Sequence, residues 1–337
     1  MRQAGVRAVI RSEDLSVVGI VEVVEHLPRI RRRFQDLIHA AAREKPDLAI
    51  LTDSPDFHLR VARKLKRLRI PVVYLVAPQV WAWRKGRVKI MRRVIDRLLC
   101  IFPFEEKFFR EHQVPVTYIG HPLASRVRPA LSREVFFRKH NLDPGRPLIT
   151  MLPGSRRSEA LRHLPELTRA AEILARERPL NFVLPASPTC GVAIFAQPLA
   201  GSPIQAIEGE AWDAMAHCDV ALAASGTVTV EAALLGAPMV TFYRVTGTSW
   251  AIGKLLVDIP FYSMVNLIAG KRVVPELMQD AMTGQRLAAE TARLLDDATE
   301  RGKMKEDLAR VATLLSGQGD AISRAADEVE CVLENVK

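Results

Sequence analysis

Residues 147–164 read PLITMLPGSRRSEALRHL, and the hydrophobic period changes in the middle of the stretch. Leu148, Ile149, Met151 and Leu152 form a nearly continuous apolar run, the pattern of a strand buried on both faces. Beyond them Leu161, Leu164 and Leu167 recur at helical spacing, and Gly154-Ser155-Arg156 marks the join. A buried strand turning directly into a helix is the repeating unit of a parallel α/β sheet. In such sheets anions settle beyond the carboxyl end of a strand, on the free N–H groups that open the next helix. Gly154 permits a tight turn, Ser155 offers a hydroxyl and backbone N–H groups, and Arg156 adds a guanidinium fork suited to phosphate oxygens. Taken alone, the turn reads equally as an ordinary strand-to-helix connection with a surface arginine.

The pattern recurs along the chain. Apolar runs at 47–53, 72–78, 97–103, 116–120, 147–154, 181–186, 219–226 and 238–244 alternate with helical segments, and most end in Gly, Pro, Asp or Ser. This predicts an α/β protein with two doubly wound, Rossmann-like domains facing a cleft. A polar stretch at 126–147 and a break in charge place the join near 125–145, giving an N-terminal domain at 1–140 and a C-terminal domain at 141–337. The net charge of +10 is unevenly spread, with 29 Lys and Arg against 14 Asp and Glu in residues 1–140 and 19 against 24 in the remainder. So basic a first part is expected to meet phosphate, on a nucleotide, a lipid headgroup or nucleic acid.

Other function classes recede. The four cysteines are far apart with no CxxC pair, so neither a zinc site nor a disulfide framework is indicated, and a reducing cytoplasm is the simplest setting. No stretch has the length and apolarity of a membrane span, no signal-peptide pattern opens the chain, and no GxGxxG or metal-ligand spacing is present.

A second anion-ready turn follows the run at 219–226, where Ser225, Gly226 and Thr227 open a helix that carries Glu231. Glu231, on the same face as Thr227, could reach a ribose diol; a carboxylate favoured by the helix dipole is the competing reading. Two such turns in one domain suit a nucleotide diphosphate better than either does alone. In the first half, Asp53 ends a strand, where a carboxylate serves either as a general base in the cleft or as a helix N-cap, while Asp56, after Pro55, reads as a helix-start residue. His121 also follows a strand and is a second candidate base, beside the commoner reading of a lone histidine held in a structural hydrogen bond. The segment 19–33 mixes Ile20, Val21, Val23 and Val24 with Arg29, Arg31, Arg32 and Arg33, which suits the surface of an anionic bilayer or a buried helix with a solvated basic end. Trp81 and Trp83 sit in a second basic run at 80–97.

From about residue 15 onward, the ordered segments TDSPDFHLRVARKL, APQVWAWRKGRVKIMRRVIDRLLCIFPFEEKFF, VPVTYIGHPL, LPGSRRSE, ASGTVTVEAALLGAPMVTFYRV and NLIAGKRVVPEL resemble the lipid-A-disaccharide synthases. The resemblance implies an inverting, metal-independent glycosyltransferase of the GT-B type, without cofactor. Such an enzyme joins UDP-2,3-diacylglucosamine to the 6-hydroxyl of 2,3-diacylglucosamine 1-phosphate (lipid X), giving a β-1,6-linked disaccharide and UDP at the cytoplasmic face of the inner membrane. Residue by residue, it implies a catalytic base at Asp53, an essential arginine at Arg156 and a site amide at Asn266. It further implies UDP binding by Gly154, Ser155, Arg156, Ser225, Gly226, Thr227 and Glu231. A peripheral membrane surface at Ile20, Val21, Val23, Val24, Arg29, Arg31 and Arg32 is also expected, as is a homodimer, with C-terminal helices crossing back to the N-terminal domain. Members of the family open with a strand, a Gly-rich loop and a helix that this sequence does not show, so the N-terminal domain is expected to be incomplete. Two further readings stand beside this one at the level of sequence: an inactive membrane-associated relative that still binds UDP, and a nucleic-acid-binding protein using the basic first part.

Overall fold

The apolar runs become the strands of two parallel sheets. A computed structural model describes residues 20–335 except Asp258, together with Gly5, Arg7 and Val9. In chain order the first sheet is built from α1 (Ile20–Glu44), β1 (Ala49–Thr52), α2 (Pro55–Arg67), β2 (Val72–Leu75), α3 (Val88–Val94), β3 (Arg97–Cys100), α4 (Pro103–Glu111) and β4 (Val116–Tyr118). Its four strands lie in the order β1-β2-β3-β4, all parallel.

Strand periodicity sorts the core of this unit into two layers. Tyr74, Leu98 and Cys100 point to the face covered by α1 and α2, where Phe34, Leu37, Ile38 and Ala41 recur at helical spacing beside Leu59, Ala62 and Leu65. Val73 and Leu99, one residue out of phase, point to the other face and meet Ala325, Val329 and Val332 of the last helix.

The second sheet follows α5 (Arg133–Lys139). It comprises β5 (Leu148–Leu152), α6 (Arg157–Glu177), β6 (Asn181–Ala186), α7 (Ala193–Ala196), β7 (Ile204–Glu208), α8 (Ala211–His217), β8 (Val220–Ala224), α9 (Thr227–Leu234), β9 (Met239–Tyr243), α10 (Gly247–Leu256), α11 (Met264–Ala269) and β10 (Glu276–Met278). Three helices close the chain, α12 (Gly284–Asp296), α13 (Ala298–Ser316) and α14 (Ala321–Glu334). The strand order is β10-β9-β8-β5-β6-β7, again all parallel. From β5 the chain winds outward through β6 and β7, then returns to the other side of β5 for β8, β9 and β10. The winding therefore reverses between β5 and β8, which is where open α/β sheets hold their ligands.

All eight strands expected from the sequence are present, and two more, β7 and β10, flank them. Both are edge strands. β7 buries Ile204 and Ile207 while Gln205 and Glu208 stay exposed, and β10 is three residues long, so neither shows the unbroken apolar run of a central strand. By its contacts the chain divides into a unit up to Ile119 that takes back the residues from Ile322, and a unit of Gly120–Ala321. The polar stretch at 126–147 packs into the second unit through Phe136 and Phe137, which meet Leu148, Val183, Ile207 and Ala214. Among the described residues no helix is long and apolar enough to cross a membrane.

Candidate functional site

The two anion-ready turns stand on neighbouring strands, one after β5 and one after β8, at the reversal of the second sheet. Gly154 has φ +118°, a conformation costly to any residue with a Cβ, and it turns the chain from β5 into α6. Arg156 is the N-cap of α6, exposed, and makes no ion pair among the described residues. The Ser155 carbonyl accepts from Ser187 Oγ at 3.1 Å and Cys190 Sγ at 3.2 Å, which fixes the peptide at the start of α6. Glu159, in the first turn of α6, folds back so that its carboxyl carbon lies 2.6 Å from where a Gly154 Cβ would stand. A carboxylate is thus seated at a helix N-terminus, as the macrodipole favours.

The second turn is equally braced. Ser225 Oγ donates to the Tyr262 carbonyl at 2.7 Å, Gly226 leads into α9, and Thr227, its first residue, is exposed. Glu231, one turn on, accepts from Trp212 Nε1 at 3.0 Å, and burial raises its pKa above the ordinary carboxylate value.

Asn266 is fully buried in α11, and its amide is saturated. It donates to the Val274 carbonyl at 2.9 Å and to Glu276 Oε1 at 2.8 Å, and accepts from the Val273 and Val274 N–H groups at 2.7 and 2.9 Å. Glu276 in turn accepts from Ser263 N–H at 2.8 Å and Tyr262 N–H at 3.1 Å. Asn266 therefore touches the turn after β8 through a relay: Asn266 to Glu276, Glu276 to the Tyr262 peptide, and Tyr262 to Ser225.

One brace has no counterpart in the sequence reading. His163, fully buried in α6, faces the Pro153 carbonyl through Nδ1 at 2.7 Å and accepts from Arg244 N–H through Nε2 at 3.0 Å. Its ring ties the end of β5 to the end of β9, and burial holds its pKa below the usual histidine value. Arg244 is anchored by Glu166 at 3.1 Å and by the carbonyls of Gln279 and Met282. The signal was available: Glu159, His163 and Glu166 fall at i, i+4 and i+7, a polar stripe on a helix whose other inward positions are apolar. Tyr243 belongs to the same cluster; burial, and after it the hydrogen bond to Glu159, push its phenol up to about 12.

In the first unit, Asp53 follows β1 with φ +55° and its carboxylate is exposed with no cationic partner among the described residues. Two hydrogen bonds to its carbonyl fix this backbone, from Tyr74 Oη at 2.6 Å and from His58 Nδ1 at 2.8 Å. Asp56 sits in the first turn of α2 and pairs with Arg84 at 3.2 Å and with Arg87. The two carboxylates are thereby told apart: Asp56 is neutralised, Asp53 is available. His121 is 6% exposed and its Nδ1 accepts from Leu123 N–H at 3.2 Å. Burial pushes its pKa down to about 4, so it stays neutral at pH 7. Trp81 donates through Nε1 to the buried Glu105 at 3.0 Å and is part of the core edge. Trp83 stays at the surface under the Arg84 guanidinium, 4.6 Å away.

Of the expected membrane-facing residues, Arg29, Arg31 and Arg32 are exposed on α1. The side chains of Ile20, Val21, Val23 and Val24 lie outside the described residues.

Solved structures share this architecture at low sequence identity. S. aureus MnaA, solved with UDP, superposes with a TM-score of 0.62 at 14% identity over 90% of this chain and 79% of its own. A UDP-GlcNAc 2-epimerase from Neisseria meningitidis, bound to UDP-GlcNAc, gives 0.57 at 14% identity over 90% and 82%. The calicheamicin glycosyltransferase CalG4 gives 0.57 at 17% over 95% and 82%. The fold is the pair of parallel-sheet α/β units found in GT-B glycosyltransferases and epimerases. Among sequences, the lipid-A-disaccharide synthase of Solibacter usitatus is 64% identical over 99% of this chain and 88% of its own length, and that of Geobacter metallireducens is 42% identical over 97% and 85%. The model of the lipid-A-disaccharide synthetase family matches residues 1–328. With the ordered motifs, the reversal of the second sheet and a family match of that extent, the chain belongs to the lipid-A-disaccharide synthases.

Proposed function

We propose that the chain performs the family's reaction with the strand-end residues described above. It is a glycosyltransferase: 2,3-diacylglucosamine moves from its UDP donor to the 6-hydroxyl of 2,3-diacylglucosamine 1-phosphate, forming the lipid A disaccharide and UDP. The observation that carries the assignment of residues is the pair of anion-ready turns on β5 and β8 where the winding of the sheet reverses. The nucleic-acid reading leaves that pairing without a role, and the 64% identity to a lipid-A-disaccharide synthase favours the active enzyme over an inactive relative.

In this reading the diphosphate lies on the N–H groups that open α6 and α9, with Gly154 allowing close approach, Ser155 and Thr227 offering hydroxyls, and Arg156 facing the leaving oxygen. Ser225 and Gly226 hold the second turn in shape, and Glu231 reaches the ribose hydroxyls. Asn266 works as a positioning residue, through Glu276 and Tyr262 on Ser225. Asp53 takes the proton of the acceptor 6-hydroxyl as that oxygen bonds to the anomeric carbon. The bond from this carbon to the diphosphate breaks on the opposite side, inverting the centre, and the electron pair leaves with UDP. Charge builds on the diphosphate oxygen, where the Arg156 guanidinium stabilises the transition state more than the ground state. The stretch of α1 that carries the exposed Arg29, Arg31 and Arg32 rests on the cytoplasmic surface of the inner membrane, from which the acylated sugars enter. The working form is a homodimer.

The test measures UDP release from the two acylated sugars together with UDP affinity. Asp53→Asn is expected to abolish most turnover and leave UDP binding intact. Arg156→Ala is expected to weaken UDP by about tenfold or more, the loss of one charge-assisted contact. Loss of UDP binding in the first variant, or unchanged affinity in the second, would remove these residues from their roles.

A further inference from the structure

α2 and α3 lie side by side in the first unit, and the groove they form, about 430 Å³, is lined by Arg63, Lys66 and Arg67 from α2 and by Ile90, Arg93 and Val94 from α3. The spacing explains the lining. Arg63, Lys66 and Arg67 are i, i+3 and i+4 on one face of α2, while Leu59, Ala62 and Leu65 on the other are buried in the core. On α3, Ile90 and Val94 form an apolar floor beside Arg93. Among the described residues only one of the four cations has an acid: Lys66 pairs with Asp96, which also accepts from Val72 N–H at 2.9 Å. Arg63, Arg67 and Arg93 make no ion pair and no side-chain hydrogen bond among the described residues, and all three are exposed.

Cations are common in the last turn of a helix, where the macrodipole contributes about 0.3–1 kcal/mol each. That preference is met by any exposed direction. It does not account for two helices turning their free guanidinium groups into one groove, where like charges repel unless an anion lies among them. The groove is also remote from Asp53: α2 starts just past that residue, and at about 1.5 Å per residue Arg63 to Arg67 lie roughly 12 to 18 Å along the helix from its first turn.

We propose that this groove is a binding site for a phosphate group, with Arg63, Arg67 and Arg93 as the forks that take its oxygens and Ile90 and Val94 as the surface for an adjoining apolar or sugar portion. The phosphate belongs to a lipid headgroup or to a soluble phosphate ester.

The experiment is calorimetric titration of the full chain with inorganic pyrophosphate, for wild type, R156A and the triple variant R63Q/R67Q/R93Q. Sedimentation with phosphatidylglycerol vesicles, against phosphatidylcholine vesicles, runs in parallel. The expected result is a pyrophosphate site that persists in R156A and weakens by at least about tenfold in the triple variant. Vesicle binding that falls with the triple variant identifies a lipid headgroup as the source, and vesicle binding that is unchanged identifies a soluble ester. If the triple variant binds pyrophosphate as wild type does, or R156A abolishes all pyrophosphate binding, the groove is not a phosphate site. Should the triple variant lose its circular dichroism spectrum, Arg63→Gln alone decides the matter by the same titration.

Discussion

His121 sets a limit on how acid the protein's surroundings can become. Its Nδ1 accepts from Leu123 N–H, its backbone N–H donates to the Leu315 carbonyl at 2.7 Å, and burial depresses the ring's pKa from 6.5 to about 4. Unfolded, the ring takes a proton near pH 6.5; folded, it resists until about pH 4. Between those values the unfolded chain binds more protons, so stability rises with pH across this window, is complete above it, and is lost as pH falls through it. The full shift is worth about 3.4 kcal/mol, of which about 2 kcal/mol is already gone at pH 5.

His121→Asn isolates this contribution, since an asparagine Oδ1 can take the place of Nδ1 as acceptor for Leu123 N–H but does not titrate. Urea unfolding of both proteins at about pH 7.5 and about pH 5 gives two losses of stability. That of the wild type is expected to be larger by about 2 kcal/mol. Glu105, pushed up to about 8 by burial, acts in the opposite sense, since its contribution is lost as pH rises from 4.5 toward 8. It is common to both proteins and cancels in the comparison. Equal losses in wild type and variant would show that the ring does not resist protonation, and the assignment of His121 as a neutral structural group would fail.

Gly154→Ala should destabilise the fold by about 1–3 kcal/mol through its positive φ. Glu159→Ala, added to it, should relieve only the contact with the new Cβ; complete recovery in the double variant would show that the contact, not the backbone, was the cause. His163→Phe keeps a ring of similar size but leaves the Pro153 carbonyl and the Arg244 N–H without partners, at a cost of about 2–4 kcal/mol in urea unfolding. A change under about 0.5 kcal/mol would mean His163 does not brace the strand ends. Asn266→Ala strips two N–H groups, a carbonyl and Glu276 of a buried partner, and should raise the KM for the UDP donor as well as lower stability. Lowered stability with an unchanged donor KM would break the proposed relay from Asn266 to Ser225.

What could be read from the sequence and what could not divide along one physical line. Central strands announce themselves because both their faces are buried, so Leu148–Leu152 and Val220–Ala224 appear as runs of apolar letters; β7 and β10 sit at sheet edges, bury one face or barely pair, and leave no such run. Residues that end a strand and open a helix are equally legible, since Gly154, Ser155, Arg156, Ser225, Gly226 and Thr227 are placed by the chain segments that carry them. The braces are different in kind. His163 matters because Pro153, ten residues before it, and Arg244, eighty-one residues after it, meet its two ring nitrogens, and no local pattern encodes the second meeting. Asn266 is legible only through resemblance for the same reason: its partners at 273–276 look like a short turn until Glu276 is seen to hold the Tyr262 peptide that Ser225 grips.

The same line separates the two carboxylates of the first unit. Asp53 and Asp56 are three residues apart and chemically identical, and local sequence ranks them only by position. What distinguishes them is Arg84 and Arg87, which reach Asp56 across nearly thirty residues of chain and leave Asp53 with its carbonyl pinned and its carboxylate free. A base must be unpaired in the resting state, or its attraction for a neighbouring cation competes with the proton it is to receive. The basic run at 84–93 thus serves two purposes. Its first arginines neutralise Asp56, and Arg93, six residues beyond Arg87, has no acid among the described residues and lines the groove between α2 and α3.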